Sequence, residues 1–125
     1  MCIIFGTFAM TNLSRLQVVF YKKLSGNEPV REWLYKLSIN EKKIIGEDIK
    51  TVQFGWPMGM PLIRKIDTDL WELRSHLDNK IARVFFTVIK DTMILLHGFI
   101  KKTPKTPKED ITLAKKRLSK VRSKK

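Results

Sequence analysis

The sequence predicts an α+β domain of order β-α-α-β-β-β-α, with an antiparallel sheet packed against two N-terminal helices and one C-terminal helix. Three observations carry this. Apolar residues recur at helical spacing between Val30 and Val52. From Leu62 to Ile100 the period changes to two. After Thr106 the helical period returns behind a capping signature. A helical pair followed by meandering strands is the pattern of an α+β fold.

The elements follow in order. Residues 16–21 (Leu-Gln-Val-Val-Phe-Tyr) are β-branched and aromatic, and read as a strand that Ser25-Gly26-Asn27 ends. Asn27 caps a short helix with Pro29 in its first turn, whose face is Val30, Trp33, Leu34 and Leu37. A second helix starts at Asn40 as cap, with Ile39 and Ile44 at the staple positions and Ile45, Ile49 and Val52 as its stripe. Residues 55–61 form a breaker-rich loop. Three strands follow: 62–66 running into 70–77, then 80–89, then 92–100, with a short additional strand as a variant. Asp78-Asn79 and Lys90-Asp91 are the two-residue turns. Thr106-Pro107-Lys108-Glu109 opens the last helix as a capping box. Its stripe Ile111, Ala114, Leu118 and Val121 packs on the sheet, and its opposite face (Lys115, Lys116, Lys120, Arg122) is basic.

The chain has 125 residues, a length that points to one domain with a real core. The domain is placed at 16–122, with a basic tail at 123–125. Residues 1–15 are an extension that reads as an extra edge strand, a frayed segment, or an over-annotated start before Met10. At 43% hydrophobic residues the chain is not wholly disordered. The single Cys2 excludes an intramolecular disulfide framework and a cysteine-based zinc site. His76 and His97 are too few for a His-rich metal site, and no cofactor is implied. The apolar stretch 2–10 is too short to span a bilayer, and nothing basic precedes Arg15, so a cytoplasmic protein without a membrane partner is expected. The formal net charge is +13, from 25 Lys and Arg against 12 Asp and Glu. A surface of that sign attracts polyanions, nucleic acid first among them.

The 78–79 hairpin is the most informative stretch. A two-residue loop fixes the register, so Trp71 faces Phe86, Leu73 faces Val84 and Ser75 faces Ala82 on a core side. The other side pairs Glu72 with Phe85, Arg74 with Arg83 and His76 with Ile81. Two arginines are thus direct cross-strand neighbours. At roughly 5 Å and an effective dielectric of about 20 their repulsion is about 3 kcal/mol at most. The arrangement is useful when an anion bridges them, since guanidinium suits bidentate phosphate contact. The competing reading pairs both with Glu72 and other surface acids. Carried through the last hairpin, the register sets Arg83 against Gly98, which leaves space beside the arginine. Val84 then faces His97, a packed histidine on the core side, and Lys102 emerges on the arginine side with Lys101 on the other. His76 is either part of this face or an exposed strand-end histidine.

The sequence shows no Gly-rich phosphate loop, no carboxylate cluster for magnesium and no nucleophilic serine or cysteine in a recognisable setting. RNA cleavage by the adjacent 2′-OH needs less: a held backbone, cations on the phosphoryl oxygens, and two proton transfers. Arg74 and Arg83 supply the charge. Glu72, or a lysine among cations, takes the 2′-OH proton, and His76 or Lys102 protonates the 5′-oxygen.

The run Leu70-Trp-Glu-Leu-Arg74, then Arg83-Val-Phe-Phe86, Leu95-Leu-His-Gly-Phe99, Lys101-Lys102-Thr103 and Pro107, followed by a helix with Ala114 and Arg117, resembles the RelE/ParE toxin superfamily. It is most similar to the HigB branch with its phage-derived relatives. Phe20-Tyr21, Gly26, Pro29-Val30 and Trp33-Leu34 fit too, so the likeness spans roughly residues 17–120. The resemblance implies a RelE-like fold and the toxin of a type II toxin–antitoxin pair that cleaves mRNA in the ribosomal A site without a metal. It implies as partners an antitoxin with a helix-turn-helix domain, mRNA on the ribosome, and operator DNA through the antitoxin. The implied catalytic residues are Arg74, Arg83, Lys102 and Glu72, with Arg64, Lys65, His76, Lys101 and Lys105 as RNA contacts. RelE uses a tyrosine late in the chain, whereas Tyr21 and Tyr35 are both early, so proton transfer falls to other residues here. Two further functions fit the residues: a ParE-like toxin that poisons gyrase without cutting RNA, and a non-catalytic nucleic-acid-binding module. The Arg74, Arg83 and Lys102 cluster favours the nuclease.

Overall fold

A computed structural model of the chain describes residues 16–103 and 105–123. The expectations for residues 1–15 and for Lys124 and Lys125 lie outside the described residues. The elements run β1 (Gln17–Phe20), α1 (Pro29–Tyr35), α2 (Ile39–Gly55), β2 (Ile63–Asp67), β3 (Leu70–His76), β4 (Ile81–Ile89), β5 (Thr92–Lys101) and α3 (Lys108–Ser123). The fold is α+β, and the sheet order is β1-β5-β4-β3-β2. The helices flank both faces of the sheet. Two differences from the expected topology stand out.

The sheet is mixed, because β1 pairs in parallel with β5. No hairpin joins β1 to the other strands. The chain crosses over through α1 and α2, and a crossover permits parallel pairing. Gln53 at the end of α2 fixes the junction: its backbone carbonyl accepts from Leu16 N, and its Nε2 donates to the Leu16 carbonyl at 2.8 Å.

The segment from Leu62 to Leu77 is two strands, not one. Asp67-Thr-Asp69 turns the chain between β2 and β3. Asp67 Oδ1 accepts from Thr68 N at 2.7 Å, and Asp69 sits at φ +58°, a conformation that aspartate tolerates better than most residues.

Helix starts also move. The second helix is capped by Ser38, not Asn40: Ser38 Oγ accepts from Glu41 N at 3.1 Å while Glu41 Oε1 accepts from Ser38 N at 3.2 Å. This reciprocal pair satisfies two orphan groups, which one Asn side chain cannot. Ile39 then falls on the first helical turn and is exposed, so no staple forms. Likewise Glu28 rather than Asn27 precedes α1, and its carboxylate binds Arg31 instead of capping. Both apolar stripes are as expected: Val30, Ile45, Ile49 and Val52 are buried.

The β3–β4 register is the one the two-residue loop dictates, with Arg74 opposite Arg83. The β4–β5 register is not. It starts as expected at Ile89 and Thr92, and then shifts between Phe85 and Phe86, so Phe86 pairs Leu95 while Phe85 pairs His97. Leu96 is the extra residue of a bulge. Three expectations fail together. Arg83 faces Phe99, not Gly98, and His97 lies on the Arg83 side. Lys101, opposite Ile81, takes the parity expected of Lys102. The bulge is anchored: Arg117 Nη1 of α3 donates to the Leu96 carbonyl at 2.8 Å, and its guanidinium lies over the Tyr21 ring.

Two apolar layers result. One, with Leu73, Val84, Phe86, Met93 and Leu95, meets α1 and α2; the other, with Leu70, Phe85 and Leu96, meets Ala114 and Leu118 of α3. The shifted register puts Gly98 under Trp33, where an added Cβ would lie 2.5 Å from the indole ring. Gly98→Ala therefore overpacks the α1 layer. Urea denaturation is expected to show a loss of about 1–3 kcal/mol; unchanged stability would mean that Trp33 is free to move aside. Among the described residues no helix is long and apolar enough to cross a membrane.

Candidate nucleic-acid site

The face under α3 is organised as rungs across the sheet. One rung is Arg64, Glu72, Phe85 and His97; the next holds Arg74, Arg83 and Phe99; the third holds His76, Ile81 and Lys101. The sequence predicts an open basic face here. Instead α3 and the segment before it cover its middle, because Phe85 and Leu96 need an apolar cover and the 111-114-118-121 stripe provides it. Glu72 and Arg83 are fully buried.

Glu72 is the hub of this buried cluster. Its Oε1 accepts from Arg74 Nε at 2.7 Å, and its Oε2 accepts from Thr106 Oγ1 at 2.6 Å. Arg83 Nε lies 3.7 Å from the same Oε2. One carboxylate thus holds two guanidiniums and the approach to α3. The pairing of both arginines with Glu72, the competing reading of the sequence, is what the geometry contains. A buried like-charge pair is tolerable only with such a counter-ion.

Arg83 Nη2 donates to the Thr103 carbonyl, and the guanidinium lies 5.8 Å from the Phe99 ring centroid. Its Nε and Nη1 make no hydrogen bond among the described residues. Burial pushes its pKa below the ordinary arginine value. Glu72 opposes that, while Arg74 and Arg64 add to it. The group nevertheless stays charged. Arg83 is thus closed off from the surface, so the two facing arginines are not both presented on an open face as the sequence led one to expect. Glu72 has no exposed oxygen either, so the geometry favours holding Arg74 over receiving a proton from substrate.

Arg74 is different. It keeps 17% of its side chain exposed and lines a cleft of about 570 Å³ with Arg64, Lys65, Lys105, Thr106 and Ile111. Four cations from β2, β3 and the β5–α3 connection thus surround one cavity, and no carboxylate lines it. Arg64, Lys65, Arg74 and Lys105 are brought together. His76, Lys101 and Lys102 are exposed and stand apart, at the strand ends one rung away.

Two further ties hold α3 over this face. His97 Nε2 contacts Asp110 Oδ1 at 2.7 Å, with the imidazole clustered with the rings of Phe85 and Phe99. Lys115 pairs with Asp67 at 2.9 Å and holds that carboxyl below its usual range. Sequence reasoning missed Thr106 and Asp110 as ties. Thr106 lies two residues before α3 and Asp110 in its first turn, and the apolar stripe of that helix shows which way they face. His97 required the bulge, for which the sequence carries no evident signal. Among the described residues no three His, Cys, Asp or Glu side chains group as metal ligands.

The family model of phage-derived Gp49-like proteins (DUF891) matches residues 32–119, well over half of the chain, and the chain belongs to that family. The family is part of the RelE/ParE-like toxin superfamily. Its members are toxins of the toxin–antitoxin kind, generally of the RNase type, so an antitoxin partner is implied. No curated protein matches the chain.

Proposed function

We propose that this Gp49-like toxin is a HigB-like, ribosome-dependent mRNA endoribonuclease. The observation that carries the reading is the cleft around Arg74: four cations surround it, and the one at its floor is clamped from beneath by Glu72. Such a site is preorganised for phosphodiester charge, because its donors need not reorganise as charge develops. Arg74 brings a guanidinium fixed by its Nε bond to Glu72 to the edge of the cleft, and Arg64, Lys65 and Lys105 hold the flanking backbone. Arg83 and Thr106 act through Glu72 as positioning residues.

The RNA supplies its own nucleophile. The 2′-oxygen bonds to the adjacent phosphorus, the P–O5′ bond breaks, and the product is a 2′,3′-cyclic phosphate with a free 5′-hydroxyl. The 2′-OH loses one proton and the leaving oxygen gains one. His76 and Lys101, exposed on the rung beside the arginines, are the donors nearest to that role, with Lys102 the next residue in the chain. The antitoxin is read as a helix-turn-helix protein that carries the pair to operator DNA.

Induced expression with mapping of mRNA 5′ ends tests this. Cuts within codons, lost when translation is blocked, are the expected result. Intact mRNA with gyrase-dependent DNA breaks would overturn it in favour of a ParE-like activity.

A further inference from the structure

We propose that the groove between α3 and the turn after β1 is the seat of an acidic segment of the antitoxin that carries an apolar anchor. This groove, of about 660 Å³, shares no lining residue with the arginine cleft. The proposal rests on the family's antitoxin, not on RNA cleavage.

One wall is a single stripe of α3. Leu113, Lys116, Arg117 and Lys120 are spaced i, i+3, i+4, i+7 and line the groove together. The floor is buried Tyr21, with the Arg117 guanidinium 5.5 Å from its ring centroid. The opposite wall is Lys23, Leu24 and Ser25. That turn is closed by hydrogen bonds: Gly26 N donates to the Lys23 carbonyl at 2.9 Å and Lys23 N to the Asn27 carbonyl at 2.8 Å. Gly26 sits at φ +97°, which side chains rarely adopt. A well-defined turn thus holds Leu24 out at 92% exposure beside three lysines and an arginine.

Charge selects the occupant. Lys115 and Arg122, on other sides of α3, pair with Asp67 and Asp69 at 2.9 and 2.8 Å. The groove-side cations Lys23, Lys116, Arg117 and Lys120 meet no carboxylate in the groove lining. A partner with carboxylates relieves their mutual repulsion and is steered in by the positive field. Apolar character then separates peptide from RNA. Single-stranded RNA is read by open aromatic or arginine planes, whereas here the Tyr21 ring is buried under Arg117, Arg117 is tied to the Leu96 carbonyl, and the exposed apolar groups are the aliphatic Leu24 and Leu113. An apolar patch rimmed by charge is the anatomy of a protein interface.

The test uses the full chain and the antitoxin purified from the co-expressed pair, titrated by calorimetry. Lys116→Glu combined with Lys120→Glu is expected to weaken binding about 100-fold or more, and Leu24→Asp about 10-fold. All three positions are at the surface, so thermal melting should match the parent, and mRNA cleavage should be unchanged. Unaltered antitoxin affinity in both variants would overturn the proposal. So would retained antitoxin affinity with loss of ribosome binding, which would assign the groove to RNA. Because the titration reads antitoxin binding directly, it stands or falls separately from the nuclease reading.

Discussion

Arg74→Ala is expected to lower single-turnover cleavage of ribosome-bound mRNA by about 100- to 1,000-fold, the usual effect of removing one preorganised charge donor. Growth arrest should disappear while antitoxin binding persists. The expectation follows from position. Among the cations that line the cleft, Arg74 is the one bonded to the buried hub, at 2.7 Å from Glu72. Its neighbours Arg64 and Lys65 lie on edge strand β2 and are exposed, so each is expected to matter less. Arg74→Lys is a sharper probe than alanine. It keeps the charge but cannot both bond Glu72 sideways and face a phosphate in a planar fork. It should therefore recover ribosome binding more than rate. Stability should fall by only about 1–3 kcal/mol in either variant, the worth of a charged hydrogen bond. A fully toxic Arg74→Ala protein that melts normally would remove the cleft from the mechanism.

How much of this was legible in the sequence depended on how local each signal was. The 78–79 loop is two residues long and dictates its own register, so the Arg74–Arg83 pairing was readable without coordinates. The helical stripes were readable for the same reason: period and spacing are local. The last hairpin was readable only as far as Phe86, because the bulge at Leu96 answers to Arg117 and Tyr21, residues far away in the chain. That single inserted residue moved His97 and Gly98 to opposite faces from those expected. The parallel pairing of β1 was hidden in the same way, since two helices separate it from its neighbour.

The site was half legible. Four of the expected cations, Arg64, Lys65, Arg74 and Lys105, line one cleft, but the burial of Arg83 was not foreseen. Alternation along β3 and β4 tells which side chains share a face, not what lies on that face. The α3 stripe was seen and its packing on the sheet foreseen. What was missed is that it covers the arginine side itself, so that of the facing pair Arg83 is buried and Arg74 reaches the cleft.

Glu72 carries the other large effect. Glu72→Ala is expected to cost about 3–5 kcal/mol, because it leaves two facing guanidiniums, one of them fully buried, without their counter-ion. For a domain near 100 residues each 1 kcal/mol shifts Tm by about 4–8 °C, so a fall of more than about 12 °C is expected. That variant tests the hub but says nothing about proton transfer, since an unfolded protein has no rate. Glu72→Gln separates the two. The amide keeps an acceptor for Thr106 Oγ1 and fills the same volume, but it lacks the charge that holds Arg74 and Arg83. If Glu72 is a positioning residue, the Gln variant should melt lower and cleave more slowly, with the shape of its pH–rate profile unchanged. A base would act otherwise: the acid limb of the profile would vanish in the Gln variant. The geometry favours the first outcome, because the carboxylate is fully buried and each oxygen already accepts a hydrogen bond within 2.7 Å. Loss of the acid limb in a Gln variant that melts like the parent would mean that α3 and Thr106 lift away on the ribosome, exposing Glu72 and Arg83 together to the RNA.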